Sequence, residues 1–144
     1  MTASTFQCQI GTTDPACPLA LEIWLDQDRI YSNDHVQLTE IVDRDIEDDE
    51  QEHELRFVLK NKLPEHTQVD STGAIVRDAC LTVTNISFDG IELNHLFGEH
   101  ARYRHNFNGS GEWTDSQFFE TLGCNGTVSF KFTTPIYLWL LEHM

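Results

Sequence analysis

Acidic side chains crowd into one segment of this 144-residue chain, where they could hold a metal ion. Eight of the twelve residues from Asp43 to Glu54 are aspartate or glutamate. Carboxylate oxygens are the ligands that Ca²⁺ takes in proteins, so the crowding points to calcium. The candidate calcium ligands are Asp43, Asp45, Glu47 and Asp48.

A solvated connection between two strands is the alternative interpretation of residues 43–54. A helix–loop–helix calcium site needs glycine at the sixth position of its loop, where this segment has Asp48, and no helical pattern flanks it. Without a bound cation, like charges only repel one another. Charge on an exposed strand also prevents pairing with other chains. We therefore favour an acidic loop that keeps the protein soluble, with calcium as the only cofactor to consider.

Three histidines at five-residue intervals form a second group that could bind zinc or nickel. They are His95, His100 and His105. Their spacing does not place them on one face of a helix, and on a strand an odd spacing sends successive residues to opposite faces. Ordinary surface or hydrogen-bonding histidines are the favoured interpretation.

The sequence lacks the motifs that carry enzymatic chemistry. The segment 108–111 does not form the G-x-S-x-G turn of a serine nucleophile. Phosphate loops and dinucleotide fingerprints are absent. No spacing points to the carboxylate pair that glycoside hydrolysis needs. We expect a protein that is not an enzyme.

Aromatic side chains suggest binding instead, since rings exposed on a sheet face or loop could stack on sugars. The alternative is that they fill the core, where aromatic residues contribute most apolar area. Trp113 lies among glycine and polar residues, so we expect it to be exposed. Tyr103 and Trp113 are the candidate aromatic ligand-binding residues.

The charge balance excludes several partner classes. With 24 acidic and 9 basic residues the formal net charge is -15, which repels DNA, RNA and anionic membrane surfaces. The N-terminus has neither the basic nor the apolar region of a signal peptide, and no apolar run reaches the roughly 18 residues that cross a bilayer. We expect neither nucleic acid nor a membrane as a partner, and synthesis in a cytoplasm.

The four cysteines contain no C-x-x-C pair, so a structural zinc site is not indicated. In a reducing compartment they are expected to be free thiols. A disulfide between Cys8 and Cys17 is the alternative.

Short strands and tight turns account for most of the remaining sequence. Apolar and polar residues alternate in the segments 19–25, 55–60, 81–88 and 128–132. Asp26–Asp28 and Asp89-Gly90 are predicted hairpin connections. Residues 61–73 are predicted to be a long loop, and the segment 136–144 a strand or one short helix. Seven or more short strands predict an all-β antiparallel β-sandwich or jelly roll, and the length suits a single domain over residues 1–144.

Part of this pattern resembles calcium-dependent xylan-binding modules. The stretches that carry the resemblance are 53–61, 77–83 and 88–90. In those modules a strand ending in Asn precedes a loop, an Asp-Arg-Asn-Leu-like segment and a strand that closes on a glycine turn. The family consists of β-sandwiches that bind sugar hydroxyls through calcium held by loop carboxylates. The resemblance implies a ligand-binding role for Asp78, although this chain has Arg-Asp for Asp-Arg and Lys62 where an acid would serve.

A second resemblance covers more of the chain. Residues 55–61, 75–93, 107–109 and 122–144 resemble small uncharacterised proteins of tailed phages that infect marine cyanobacteria. It implies a viral context and carries no enzymatic activity. The first functional hypothesis is therefore a non-enzymatic structural or accessory protein of the virion, made in the host cytoplasm. Its expected partners are other virion proteins, in an oligomeric or assembly-bound state.

The apolar run near the C-terminus supplies candidate interface residues for such docking: Tyr137, Trp139 and Leu141. Two alternatives remain open beside the virion hypothesis. One is a calcium-assisted carbohydrate-binding module that recognises host surface glycans. The other is an acidic inhibitor of a host nucleic-acid-binding protein, which would present a surface resembling nucleic acid.

Overall fold

Alternating apolar and polar residues organise this chain into two antiparallel sheets that share one core. The computed structural model describes residues 3–118 and 120–143. In chain order its strands are β1 (Ala3–Thr12), β2 (Ala20–Leu25), β3 (Asp28–Asn33), β4 (Glu40–Glu47), β5 (Glu52–Lys60), β6 (Thr67–Val69), β7 (Ile75–Asp78), β8 (Leu81–Phe88), β9 (Ile91–Glu92), β10 (Arg102–His105), β11 (Thr114–Gln117), β12 (Thr121–Leu122) and β13 (Gly126–Thr133).

The first sheet has the strand order β12-β8-β1-β4, with β9 pairing on β8, and the second has the order β11-β10-β13-β5-β2-β3. A separate two-stranded ribbon is formed by β6 and β7. Two helices complete the fold, α1 (Asn94–His100) and α2 (Ile136–His143). No helix within the described ranges is long and apolar enough to cross a bilayer.

Phenylalanine rings from the inner faces of both sheets fill the space between them. Phe6 of β1 lies with its ring centroid 5.6 Å from Phe88 of β8 and 6.4 Å from Phe57 of β5. Phe88 in turn contacts Phe132 of β13 at 5.1 Å. Burying each such side chain contributes roughly 2–3 kcal/mol, so this cluster joins the two layers.

The predicted fold class is confirmed, because the chain forms an all-β antiparallel sandwich. Both predicted hairpins are confirmed as well. Asp26 joins β2 to β3 with a φ of 55°, and Asp89 and Gly90 join β8 to β9 with φ of 53° and 80°. A positive φ at the first turn residue is typical of the two-residue turns that join hairpin strands.

The prediction that residues 43–54 form an acidic loop is wrong. β4 extends to Glu47 and β5 begins at Glu52, so only residues 48–51 lie between these two strands. Val42 and Ile46 of β4 point into the core while the acidic residues between them face solvent. Two apolar residues on the inner face are sufficient because β4 pairs along its whole length with β1.

Residues 61–73 are also more ordered than the predicted long loop. A short 3-10 turn, Pro64–His66, leads directly into β6, which pairs with β7. At the other end of the chain, the segment 136–143 takes the helical alternative as α2.

All four cysteines are free thiols in the structure, including both members of the alternative Cys8–Cys17 pair. Cys8 points into the core from β1, and burial raises the pKa of its thiol to about 12. Cys17 instead lies 3.3 Å from a carboxylate oxygen of Asp14.

A candidate ligand-binding cleft

A difference in strand length opens a cleft on the outer side of the second sheet. β10 pairs with β13 only as far as Ser129, so the last four residues of β13 extend beyond it. The helix α2 follows β13 and packs Trp139 against Phe130, with ring centroids 5.2 Å apart. Residues of α2, β10 and β13 line a cleft of about 520 Å³.

Cationic and aromatic side chains line this cleft. The strands contribute Arg102, Arg104 and Lys131, and the helices contribute His100, Trp139 and His143. Two carboxylates, Glu52 and Asp115, lie at the same surface. Successive side chains of a strand point to opposite faces of the sheet. Because Tyr103 and Phe130 point inward, their charged neighbours on β10 and β13 point outward.

A glycine allows β10 to lie close enough to β13 to form one wall of the cleft. Gly126 begins β13 and pairs with His105 of β10. A Cβ atom at this position would meet the main-chain carbonyl of Arg104 and lie 2.9 Å from Cβ of His105. The absence of a side chain is therefore a condition for this strand pair.

The two arginines of β10 are held in different ways. Arg102 donates from Nη1 to the main-chain carbonyls of Glu99 and Ala101, at 2.8 and 2.9 Å, where α1 ends. The Nη1 of Arg104 lies 3.6 Å from a carboxylate oxygen of Asp115, and its guanidinium lies 5.2 Å from the centre of the Trp113 ring. Both members of the Arg104–Asp115 pair are more than half exposed, so it contributes little stability and remains open to a ligand.

The helical wall of the cleft is a cluster of three rings. His143 stacks on Trp139 at 4.1 Å with 19° between the planes, and His100 meets both rings edge-on at 5.0 and 5.5 Å. The Nδ1 atom of His143 lies 2.7 Å from the main-chain oxygen of Trp139. Because a carbonyl oxygen only accepts, Nδ1 carries a proton and the opposite nitrogen is left for other partners.

The histidines at five-residue intervals do not come together. His100 lines the cleft, whereas His105 is buried and faces the core, where its ring lies 4.6 Å from that of Tyr103. The side chain of His95 lies outside the described part of the chain.

Trp113 is 59% exposed, as the sequence predicts, and it lies beside the cleft through its contact with Arg104. Tyr103 is only 6% exposed, so it does not present the exposed ring that stacking on a sugar requires. Its hydroxyl donates to the main-chain oxygen of Cys124 and accepts from the Cys124 N–H at 2.9 Å, and burial raises the pKa of the phenol. Only Trp113 of this pair offers an aromatic face to a ligand.

Asp78, the third candidate ligand-binding residue, lies at the end of β7, and described side chains already surround it. One oxygen accepts from Lys62 Nζ at 2.6 Å and from Thr67 Oγ1 at 2.7 Å, and the other lies 3.3 Å from Cys80 Sγ. Although burial opposes ionisation, the hydrogen bonds from Lys62, Thr67 and Cys80 lower the pKa of Asp78. The structure thus shows Asp78 as the partner of a buried lysine.

The carboxylates of β4 do not fit a calcium site. Asp43, Asp45 and Glu47 lie on one face of an extended strand, where alternate residues are about 7 Å apart. Calcium instead gathers six to eight oxygens at about 2.3–2.6 Å. Gln7 Nε2 donates to Asp43 at 2.9 Å and Thr5 Oγ1 donates to Asp45 at 3.1 Å, so β1 holds both carboxylates along the sheet.

The fourth predicted calcium ligand, Asp48, lies beyond the end of β4 in the connection to β5. Across residues 3–118 and 120–143, no three aspartate, glutamate, histidine or cysteine side chains are grouped to hold a metal ion. The predicted ligands therefore remain separate.

The three candidate interface residues all lie on α2, but they differ in their exposure to solvent. Tyr137 and Leu141 are exposed on α2, whereas Trp139 is 6% exposed and packs within its own chain. A docking role for the two exposed residues stays a prediction, and Trp139 is assigned to the wall of the cleft.

His53, Asp26 and Asp49 form a charged cluster near the connection between β4 and β5. No pattern in the sequence indicates this cluster. Nδ1 of His53 lies 2.6 Å from Asp26 Oδ2, and its Nε2 lies 2.8 Å from Asp49 Oδ1. Burial opposes the charged ring, but the hydrogen bonds to Asp26 and Asp49 prevail and raise the pKa of His53. Protonated His53 can donate to both carboxylates at once.

We expect His53→Gln to destabilise the protein by about 2 kcal/mol at pH 6, the range for hydrogen bonds to charged groups. A histidine with a raised pKa contributes most below its unfolded value of about 6.5, and this contribution is lost as the pH rises through the folded pKa. The difference between wild type and variant should therefore shrink by pH 9. Urea unfolding at both pH values measures it.

His35→Gln is the control for that experiment, because the His35 ring contacts the Pro15 carbonyl at 2.8 Å. It should change stability little and equally at both pH values. A difference between wild type and His53→Gln that is the same at pH 6 and pH 9 would contradict the assignment of a charged His53.

Comparison with known proteins finds similarity in structure alone. No protein-family model matches the sequence, and no curated protein matches it either. Two solved structures are similar over 88% of this chain.

The first is the selenomethionine form of vCBM60, described with a circular permutation that links two families of calcium-dependent carbohydrate-binding modules. Its TM-score is 0.53 at 12% identity, over 89% of that chain. The second is vCBM60 in complex with galactobiose, with a TM-score of 0.51 at 13% identity, over 96% of that chain. The likeness establishes a shared β-sandwich fold.

Proposed function

We propose that this protein is a non-catalytic carbohydrate-binding protein whose ligand occupies the cleft between α2 and β13. The observation that carries the proposal is the sandwich fold shared with vCBM60, which has been solved with galactobiose. The cleft supports it, because about 520 Å³ lies within the range of small-ligand sites.

The side chains around the cleft suit a sugar. Guanidinium groups present several N–H donors in a fixed fork, which neighbouring hydroxyls can accept. Arg104 and Ser129 supply donors from the strands. The free nitrogen of His143 can accept from a hydroxyl. Trp113 adds an exposed aromatic face beside Arg104, on which an apolar sugar face can pack.

We propose that this protein binds its glycan without calcium. vCBM60 is described together with calcium-dependent carbohydrate-binding modules. In the present protein, by contrast, the carboxylates of β4 lie along a strand and do not converge on one point. We therefore expect glycan binding in this protein to persist in excess EDTA. A complete loss of binding on chelation would show that a metal takes part.

A blocking substitution tests the location of the ligand. Ser129 faces the cleft from β13, so Ser129→Tyr should fill it and weaken glycan binding at least about tenfold, which is a loss of about 1.4 kcal/mol. Thr127→Tyr is the matched control, because Thr127 lies on the same face of β13, two residues away and outside the lining of the cleft.

Screening on a glycan array, followed by calorimetry with the best ligand, measures both variants. Absence of binding by the wild-type protein to any glycan would contradict the proposed function. Binding that Ser129→Tyr leaves intact would place the ligand elsewhere on the sandwich.

The virion hypothesis and the acidic-inhibitor hypothesis stay predictions. The resemblance to phage proteins has no counterpart among the matching structures, which support the carbohydrate-binding alternative. Mass spectrometry of purified particles tests the virion hypothesis, and consistent absence of the protein would remove it.

A further inference from the structure

Positive charge in this acidic protein is concentrated on one layer. The chain has nine arginines and lysines. Six of them lie on strands of the second sheet: Arg29, Arg56, Lys60, Arg102, Arg104 and Lys131. The cleft belongs to the same layer, so its ligand meets the sheet that carries most of the basic residues.

Outside the cleft, the cations of this layer have carboxylate partners. Arg29 and Lys60 both pair with Glu22, at 3.4 and 3.2 Å, and Arg56 lies 3.5 Å from Glu54. Carboxylates are abundant in this chain, so pairing of this kind is the expected condition of a basic side chain.

Two basic side chains inside the cleft lack such carboxylate partners. Within the described part of the chain, neither Lys131 nor Arg102 forms an ion pair with a carboxylate. Arg102 uses Nη1 for two main-chain carbonyls, which leaves the charge of its guanidinium uncompensated. Arg102 and Lys131 share one concave surface with His100 and His143. The carboxylates at this surface, Glu52 and Asp115, form an ion pair with neither of the two cations within the described residues.

We propose that the ligand of this cleft is an anionic glycan, bearing carboxylate or sulfate groups that Arg102 and Lys131 bind. This inference rests on the proposed function and specifies its ligand class. The guanidinium of Arg102 matches two oxygens of such a group, and the ammonium of Lys131 adds a compact charge. A neutral sugar would leave both charges without a counter-ion.

The net charge of -15 does not prevent this recognition. At physiological ionic strength the Debye length is about 8 Å, and the two layers of a sandwich are about 10 Å apart. The acidic row on β4 belongs to the opposite sheet, so salt largely screens it from the cleft. The same screening makes binding of an anionic ligand weaker as salt is added.

Three disaccharide probes test the inference by calorimetry: galactobiose, digalacturonate and a sulfated galactose disaccharide. We expect at least one charged probe to bind at least about tenfold more tightly than galactobiose, a difference of about 1.4 kcal/mol. The charged probe that binds more tightly identifies carboxylate or sulfate as the recognised group. Raising the salt from 50 to 500 mM should weaken only the charged probes.

Lys131→Ala should weaken binding of the charged probe about tenfold and should weaken binding of galactobiose by a clearly smaller factor. Lys60→Ala is the matched control, because Lys60 is an exposed lysine of the same sheet that pairs with Glu22 outside the cleft. Unfolding in urea checks that both variants remain folded.

Each contrary result has a distinct meaning. Equal or tighter binding of galactobiose overturns the anionic ligand but leaves the proposed function standing. Binding of none of the probes, with no signal on the glycan array, overturns both. A short DNA oligonucleotide that binds as tightly as the charged sugar, or a charged probe indifferent to Lys131→Ala, also overturns the inference.

Discussion

Asp78→Ala is expected to destabilise the protein by about 3 kcal/mol, because it leaves a buried ammonium group without its counter-ion. The side chain of Lys62 is completely inaccessible to solvent, and its Nζ lies 2.6 Å from the Asp78 carboxylate. Nζ also donates to the main-chain oxygen of Ala79. Removing the carboxylate keeps the desolvation of Lys62 and loses the attraction that offsets it.

The opposite substitution should be far milder. Lys62→Met removes the buried charge and keeps a long apolar chain, so we expect a loss of no more than about 1 kcal/mol. The double variant should then be more stable than Asp78→Ala alone. Urea unfolding of the two single variants and the double variant measures this coupling, with the exposed Lys60→Met as control.

Acid gives an independent measure of the same pair. The hydrogen bonds to Asp78 lower its pKa against the opposing effect of burial. The pair therefore contributes fully above the unfolded value of about 3.9, and its contribution is lost as the pH falls through the folded pKa. A double variant no more stable than Asp78→Ala would contradict the idea that an isolated charge on Lys62 causes the damage.

Trp139→Ala is expected to destabilise the fold by about 4 kcal/mol, within the range for large aromatic residues removed from a core. Trp139 is 6% exposed, and its ring contacts Phe130 at 5.2 Å and His143 at 4.1 Å. Its loss would remove both a core contact and the wall of the cleft. Glycan binding should therefore fall together with stability.

Tyr137→Ala is the control for this prediction, because Tyr137 lies in the same helix but is exposed. Tyr137 is 56% exposed, so its removal should change the free energy of unfolding by less than about 0.5 kcal/mol. Thermal unfolding and calorimetry measure both variants. If Tyr137→Ala destabilised the protein as much as Trp139→Ala, the assignment of Trp139 as the anchor of α2 would be wrong.

Strong local alternation was enough to predict much of the sandwich. In β5 and β13 the large apolar residues occupy one face without interruption, and Asp89-Gly90 carries its own turn geometry. These signals depend only on neighbouring residues. The overall class followed from their number and spacing.

Polar residues obscured the apolar pattern of two neighbouring strands, β4 at the edge of the first sheet and β1 beside it. β4 presents only Val42 and Ile46 to the core between acidic neighbours, and it is stabilised by its pairing with β1. β1 does carry a usable signal, since Phe6, Cys8 and Ile10 alternate with polar residues. Cys8 takes the place of a large apolar residue in this alternation, which makes the strand pattern weaker.

The cleft could not have been predicted from any local pattern. It depends on β10 being shorter than β13 and on α2 returning to the space that β10 leaves. The spacing of the histidines pointed to His95, His100 and His105 as a group, whereas the structure combines His100 with His143, far along the chain. Strand register and helix direction, which fix these distances, are properties of the whole fold.

The position of β1 has a consequence for how the protein is made. β1 lies between β4 and β8, so a strand that is synthesised before both of its partners becomes an interior strand of its sheet. Its ladder is incomplete until Phe88 has been added, about 4–15 s later at usual rates of synthesis. Throughout that interval Phe6 lacks its contact with Phe88, and the unpaired side of β1 is a surface that a chaperone for extended apolar segments could bind.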